Sequence, residues 1–282
     1  MLSNCIKYSS SWVLIVLFAM SCQSDKAPIS SKTIAEVPAD TSKMMLLEGA
    51  KDTAVSVNKT DSVVLVVDTP QIKNIATAPP ISKVTVVDYD LPALAILDKL
   101  PDTAWVDLEQ LDSTLIMDIR YATTNNFMEL QVYDCAKCYT RAKTAKAVLK
   151  IQAALSQQGL GLKMFDCYRP GPAQYKLWQK MPDKRYVAPP EKGSVHSRGG
   201  ALDLTIVVLQ TGQELEMGTP YDYFGREAYW SYTKHPENVN NNRKLLRSTM
   251  EAYGFKITTT EWWHYSYRRA WYKLSNMEWD CE

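Results

Sequence analysis

Ser194-Val-His-Ser-Arg-Gly-Gly-Ala-Leu-Asp-Leu-Thr-Ile-Val-Val-Leu209 sets the reading of this chain. Its second half, Ala201–Leu209, is apolar and rich in β-branched residues over a strand's length, the pattern of a strand buried on both faces. Asp203 lies inside that run, and burying a carboxylate without a partner is costly, so a partner must come from elsewhere in the fold. Just upstream stand His196 and the pair Gly199-Gly200, which let backbone approach a ligand closely. Only three histidines occur in the chain. A second one, His264, ends the segment Glu261-Trp-Trp-His264, while His235, in His-Pro-Glu-Asn, reads as a loop residue.

Two imidazoles and a carboxylate form a three-donor set for zinc that leaves a fourth position open, as hydrolysis requires. His196, Asp203 and His264 are therefore the expected ligands of one Zn2+. Glu261, three residues before a ligand, is the expected general base; its bland alternative is a carboxylate that only orients His264. Phe165-Asp-Cys-Tyr-Arg169-Pro170 puts Arg169 at the end of a strand and before a helix, where it could stabilise an oxyanion. A surface salt bridge is the alternative there.

Around these motifs the pattern alternates without strict order. Arg141–Gln157 carries apolar residues at helical spacing and Gly159 sits where a helix would stop. Leu162–Asp166 reads as a strand, Pro170–Met181 and Asn242–Tyr253 as helices, and Trp262–Tyr267 as an aromatic strand. The expected class is α+β, one compact catalytic domain over 96–282.

The preceding residues differ in kind. Lys7 followed by the apolar run Trp12–Met20 is too short to span a bilayer, which takes about 20 residues, but suits an export signal over 1–21. Ala19-Met-Ser-Cys22 resembles the lipobox of bacterial lipoproteins, with Cys22 the lipidated residue. An ordinary cleaved signal with an incidental Cys is the alternative. Between Gln23 and Ala95 there is no Trp, Phe or Cys, and Tyr89 is the only aromatic. Residues 22–95 are read as a lipidated Cys followed by a tether, with a reach of about 45–50 Å if flexible. The expected location is exported and lipid-anchored at the cell envelope.

Cys135, Cys138, Cys167 and Cys281 could form two disulfides in three connectivities, which sequence does not choose among. The rival, a zinc site at Cys135-Ala-Lys-Cys138, lacks a second pair. Net charge is +1, which argues against a nucleic-acid partner.

The two motifs together, with Asp118-Ile-Arg-Tyr-Ala-Thr-Thr-Asn-Asn-Phe127, Tyr168-Arg-Pro170, Pro182–Ala188 and Met217-Gly-Thr-Pro-Tyr-Asp222, resemble the zinc D-alanyl-D-alanine dipeptidases, over roughly residues 100 to 270. The resemblance implies a compact α+β fold with a central antiparallel sheet carrying the zinc, ligands His196, Asp203 and His264, Glu261 as base and Arg169 as stabiliser of the tetrahedral intermediate. It also implies a dipeptide pocket in which Asp222 pairs with the free ammonium, lined by Tyr121 and Ser194. D-Ala-D-Ala or short peptidoglycan-derived peptides would be the substrate, and lipid would be met through Cys22. The leader, the tether and the four body cysteines depart from that family pattern. Two rival functions remain: a peptidoglycan carboxypeptidase or endopeptidase with the same zinc chemistry, and a non-catalytic zinc-containing wall-binding lipoprotein.

Overall fold

The computed structural model describes residues 86–281. The leader, Cys22 and the tether up to residue 85 lie outside them, and residues 92–95 belong to the first helix, α1 (Pro92–Leu97). There follow β1 (Trp105–Asp107), α2 (Leu108–Leu111), β2 (Ile116–Met117), β3 (Tyr139–Arg141), α3 (Ala142–Ser156), β4 (Leu160–Asp166), α4 (Gly171–Lys180), β5 (Ala201–Val208), α5 (Glu237–Ala252), β6 (Phe255–Ile257) and β7 (His264–Tyr267). This is an α+β domain. No helix among the described residues is long and apolar enough to cross a membrane.

Five strands form the main sheet in the order β2-β4-β5-β7-β6. Every pairing is antiparallel except that of β2 with β4, which is parallel, so the sheet is antiparallel at its centre and mixed at one edge. A separate antiparallel pair joins β1 to β3. β4 and β5 are buried along nearly their whole length, which explains why Ala201–Leu209 reads as a nearly continuous apolar run rather than an alternation.

The α3 helix covers β4. Its alanines are strong helix formers, and Ala145, Val148, Leu149, Ile151 and Leu155 are buried among the core residues. The following Gly159 adopts φ 70°, a conformation that ends a helix cheaply only with glycine. Inside this layer Gln152 supplies a polar tie, accepting from the Leu162 amide at 2.8 Å and donating to Thr114 Oγ1 at 2.8 Å.

Cys138 pairs with Cys167, and Cys135 with Cys281. The Cys135-Ala-Lys-Cys138 segment is thus committed to two different disulfides and not to a metal. The second bridge pins a C-terminal tail that has no helix or strand. Trp279 of that tail lies against Tyr133, Tyr139 and Tyr168, with ring centroids 5.8–6.0 Å apart. Ser275 donates its amide to the Ser197 carbonyl at 3.1 Å, so the tail backs the loop that carries His196.

Candidate metal centre

Strand register brings the chemistry together. Asp166 on β4 faces Asp203 on β5, and Asp203 faces His264 on β7. Three polar residues thus form one row across the centre of an apolar sheet. His196 reaches the row from a 3-10 turn, His196–Arg198, that ends at Gly199 with φ 74°. A Cβ at Gly199 would meet the Trp105 ring at 2.4 Å, so the turn needs glycine for both its conformation and its packing.

His196 Nε2 and His264 Nδ1 lie 3.0 Å apart, His264 Nδ1 and Asp203 Oδ1 2.9 Å, and His196 Nε2 and Asp203 Oδ1 3.3 Å. Ligands at 2.0–2.2 Å around a tetrahedral ion stand roughly 3.3–3.5 Å from one another, so the triangle is close to that of three tetrahedral ligands. Protonation supports the same reading. His196 Nδ1 donates to the Cys167 carbonyl at 2.7 Å, and a carbonyl can only accept, so in the neutral ring Nε2 bears a lone pair. His264 Nε2 lies 3.2 Å from Ser266 Oγ, and donation there frees Nδ1. Three electron-rich atoms converging at this spacing suit a cation, and each imidazole is oriented through its other nitrogen. The residues fit a divalent metal ion.

Electrostatics agree. Burial works against the Asp203 charge, yet His196 and His264 beside it outweigh burial and hold the carboxylate well below its ordinary value. Tyr221 donates to Asp203 Oδ2 at 3.1 Å. Burial pushes the His264 imidazole below its usual value against the opposing pull of Asp203, favouring the neutral form that binds metal.

Arg169 is buried, not on the surface. Its Nε and Nη2 donate to Asp166 Oδ2 at 3.0 and 2.7 Å, and Nη1 donates to Gln174 Oε1 at 3.2 Å. Burial opposes its charge, but Asp166 overrides burial and keeps the guanidinium protonated. Asp166 Oδ1 also accepts from Tyr133 at 2.8 Å and from the Cys167 amide at 3.0 Å. Nothing singled out Asp166 in the sequence reading, although a carboxylate closing the apolar strand Leu160–Asp166 carries the same signal as Asp203. The partners Ser266 and Tyr221 were also missed; hydroxyls near a histidine or an aspartate are too common to stand out.

A cavity of about 200 Å3 opens beside the three donors, below the roughly 300–1,000 Å3 of sites for drug-sized ligands. Tyr121, Ser194, Asp222, Arg169 and Glu261 all line it, so the structure gathers every site residue expected from the sequence of the catalytic domain. Asp222 adopts φ 60° and accepts from Tyr121 at 3.2 Å and from the Phe127 amide at 3.3 Å. Burial first, then the charge of Asp203, raise its carboxyl to about 8. Glu261 is likewise held well above its ordinary value by burial and by Asp203 and Asp222. Ser194 Oγ accepts from the His196 amide at 3.2 Å, tying the cavity wall to the metal-site turn. Phe127 and Phe224 stack edge to face at 5.1 Å, and Tyr186 lies 4.9 Å from Phe224 and donates to its carbonyl at 2.9 Å. These rings close the wall beside Asp222.

Three convergent donors, a buried carboxylic acid and a fixed guanidinium around a small cavity define a metal-dependent hydrolase. A family model described as D-ala-D-ala dipeptidase, of the peptidase M15 group, matches residues 102–280, and the chain belongs to that family of metallopeptidases. A D-alanyl-D-alanine dipeptidase of Escherichia coli is 34% identical over 168 residues, covering 60% of this chain and 86% of that protein. The Enterococcus faecium protein of that name is 32% identical over 184 residues, covering 57% and 90%. The one from Enterococcus faecalis is 28% identical over 187 residues, covering 58% and 91%.

Proposed function

We propose that this chain hydrolyses free D-alanyl-D-alanine to two D-alanines with one zinc ion held by His196, Asp203 and His264, in cell-wall metabolism at the cell envelope. The observation that carries the reading is the donor triangle opening on a small cavity that also holds two carboxyl groups. Membership of the D-ala-D-ala dipeptidase family supports the substrate. The leader, Cys22 and two disulfides support an exported, lipid-anchored form, since disulfides persist in oxidising compartments.

Zinc supplies Lewis acidity, lowering the pKa of water to about 7 and polarising a carbonyl. Glu261 takes the proton of the attacking water and delivers it to the leaving amine. Burial, with Asp203 and Asp222 nearby, raises its pKa above the ordinary carboxylate value, which makes it a stronger acceptor for that proton. Arg169, held in place by Asp166, faces the negative charge that develops on the carbonyl oxygen. Asp222, with Tyr121 beside it, receives the substrate ammonium, and the rings of Phe127, Phe224 and Tyr186 line the same cavity beside it.

The test is D-alanine release by the zinc-loaded protein from D-Ala-D-Ala, its N-acetylated form and a wall pentapeptide. Cleavage of the free dipeptide alone is expected. Equal cleavage of the blocked or longer substrates would refute the ammonium pocket and move the protein to the wall-trimming carboxypeptidases.

A further inference from the structure

The 271–281 segment crosses the outer side of the loop that carries His196. Tyr272 is buried, and its hydroxyl lies 3.1 Å from Thr144 Oγ1 on α3. Arg198 Nη1 donates to the Tyr272 carbonyl at 3.1 Å, and the Ser275 amide donates to the Ser197 carbonyl at 3.1 Å. Between these ties Leu274 fills the space that a Cβ at Gly193 would need. Gly193, Ser194, Val195 and His196 are in turn wall of the catalytic cavity, so the loop is held between the cavity and this segment. His196–Arg198 is a single 3-10 turn, with the poorer hydrogen-bond geometry of that form. A ligand carried on so short a turn depends on its outer contacts for orientation.

The far end of the segment is fastened by the Trp279 ring and by the Cys135–Cys281 bridge. The two disulfides differ in access. Cys138 and Cys167 are 0% and 1% exposed. Cys281 is exposed and lines a cavity of about 320 Å3 together with Pro172, Lys176 and Trp279. An attacking thiolate has a path to Cys281 and none to the buried pair.

We propose that residues 272–275 are a positioning strap for His196 and that Cys135–Cys281 is its redox-sensitive clasp. A dithiol opens the clasp. One thiolate attacks Cys281 Sγ and Cys135 leaves as thiolate; the second thiol of the reagent then displaces Cys281 from the mixed disulfide. Two electrons and two protons pass from the dithiol to the protein, and the dithiol ends as a disulfide. Freed at its end, the strap loosens its hold on Gly193 and Ser197. His196 keeps its bond to the Cys167 carbonyl, so its orientation is weakened and not lost. The inference rests on the metal assignment and not on the peptide substrate.

The experiment treats the folded, metal-free full-length protein with dithiothreitol, alkylates the thiols formed with iodoacetamide, removes both reagents and maps the modified cysteines by mass spectrometry. Of the four cysteines of the domain, alkylation at 135 and 281 alone is expected. Zinc affinity, read by competition with a chelating dye, should then fall about tenfold, the lower end of the loss when a partner that orients a ligand is removed. Hydrogen exchange of the metal-free protein should quicken at 193–199 and stay slow along β4 and β5. Leu274→Ala changes an exposed side chain with both bridges intact and should weaken zinc in the same direction, whereas Leu274→Met should not. Alkylation of all four cysteines or of none, or unchanged zinc affinity in the opened protein, would overturn the proposal. So would loss of protection in β4 and β5 together with the loop, because the bridge would then hold the whole fold and not the strap. If the untreated protein bound no zinc, the metal assignment would fail, and unchanged exchange at 193–199 would still overturn the strap.

Discussion

Replacing Asp166 by Asn tests whether a single buried carboxylate organises the site. Oδ2 accepts from Arg169 Nε and Nη2, and Oδ1 accepts from Tyr133 and the Cys167 amide. An asparagine has one acceptor oxygen and one amino group, so in either orientation one pair of donors faces a donor. Both residues of the ion pair are buried, and Asp203 Oδ2, at 3.8 Å, is the nearest other anion to Arg169. Breaking a buried pair from one side costs about 3–5 kcal/mol. For a domain of this size each kcal/mol moves the melting point by about 2–4 °C, so a fall of about 6–20 °C is expected. The assay is thermal unfolding of the metal-free protein, since bound metal would add its own stabilisation. Asp112→Asn, in an exposed turn, is the control and should shift stability by less than about 0.5 kcal/mol. In the zinc-loaded form, loss of the fixed guanidinium should lower kcat by about 10^2–10^3. If Asp166→Asn melts like the control and keeps full kcat, Arg169 does not depend on Asp166 and the argument fails.

Further expectations concern the core, the acids and the bridges. Leu204 is fully buried on β5, and Leu204→Ala should cost about 3–5 kcal/mol, read as a lowered denaturant midpoint with unchanged slope. Asp222 and Glu261 have folded pKa values raised above their ordinary ones. Their contribution to stability is full below the ordinary carboxylate range and is lost as pH rises towards about 8 for Asp222. The metal-free protein should therefore lose stability over that interval, and the Asp222→Asn, Glu261→Gln double variant should lose less; parallel curves of stability against pH would contradict this. Cys135 and Cys281 are 146 residues apart and Cys138 and Cys167 are 29. Chain entropy gives about 5 and about 3.5 kcal/mol for the two bridges, so the paired Ser variant at 135 and 281 should unfold at the lower denaturant concentration. The opposite order would show that native packing, not loop length, sets their worth.

The meeting of His196, Asp203 and His264 was legible because these residues are scarce and badly placed for any other purpose. A carboxylate within Ala201–Val208 demands a partner, and two of the three histidines stood in dense motifs. Helices with regular apolar spacing were equally plain: Arg141–Gln157 is found as Ala142–Ser156. The last helix was expected from Asn242 but starts at Glu237. Its first turns, Glu-Asn-Val-Asn-Asn, hold one apolar residue, so no periodicity marks them, and Pro236 as the residue before the helix fixes the start instead. Trp262 and Trp263 precede the strand rather than lying in it, and β2 has only two residues, too few to show a pattern. Its parallel pairing, like the disulfide connectivity, depends on which segments meet in space, and local sequence holds no record of that. For Arg169 composition left a surface salt bridge open beside the oxyanion role, and Asp166, three residues earlier at the strand end, is what it is buried against.

The central claim rests on a metal held by His196, Asp203 and His264 and used for hydrolysis. The most direct test is the rate of D-alanine release from D-Ala-D-Ala, with zinc content measured on the same sample, before chelation, after chelation and after zinc is restored. One zinc per chain, activity lost with the metal and regained with it, is the predicted result. Hydrolysis that continues after the metal has been removed would contradict the account.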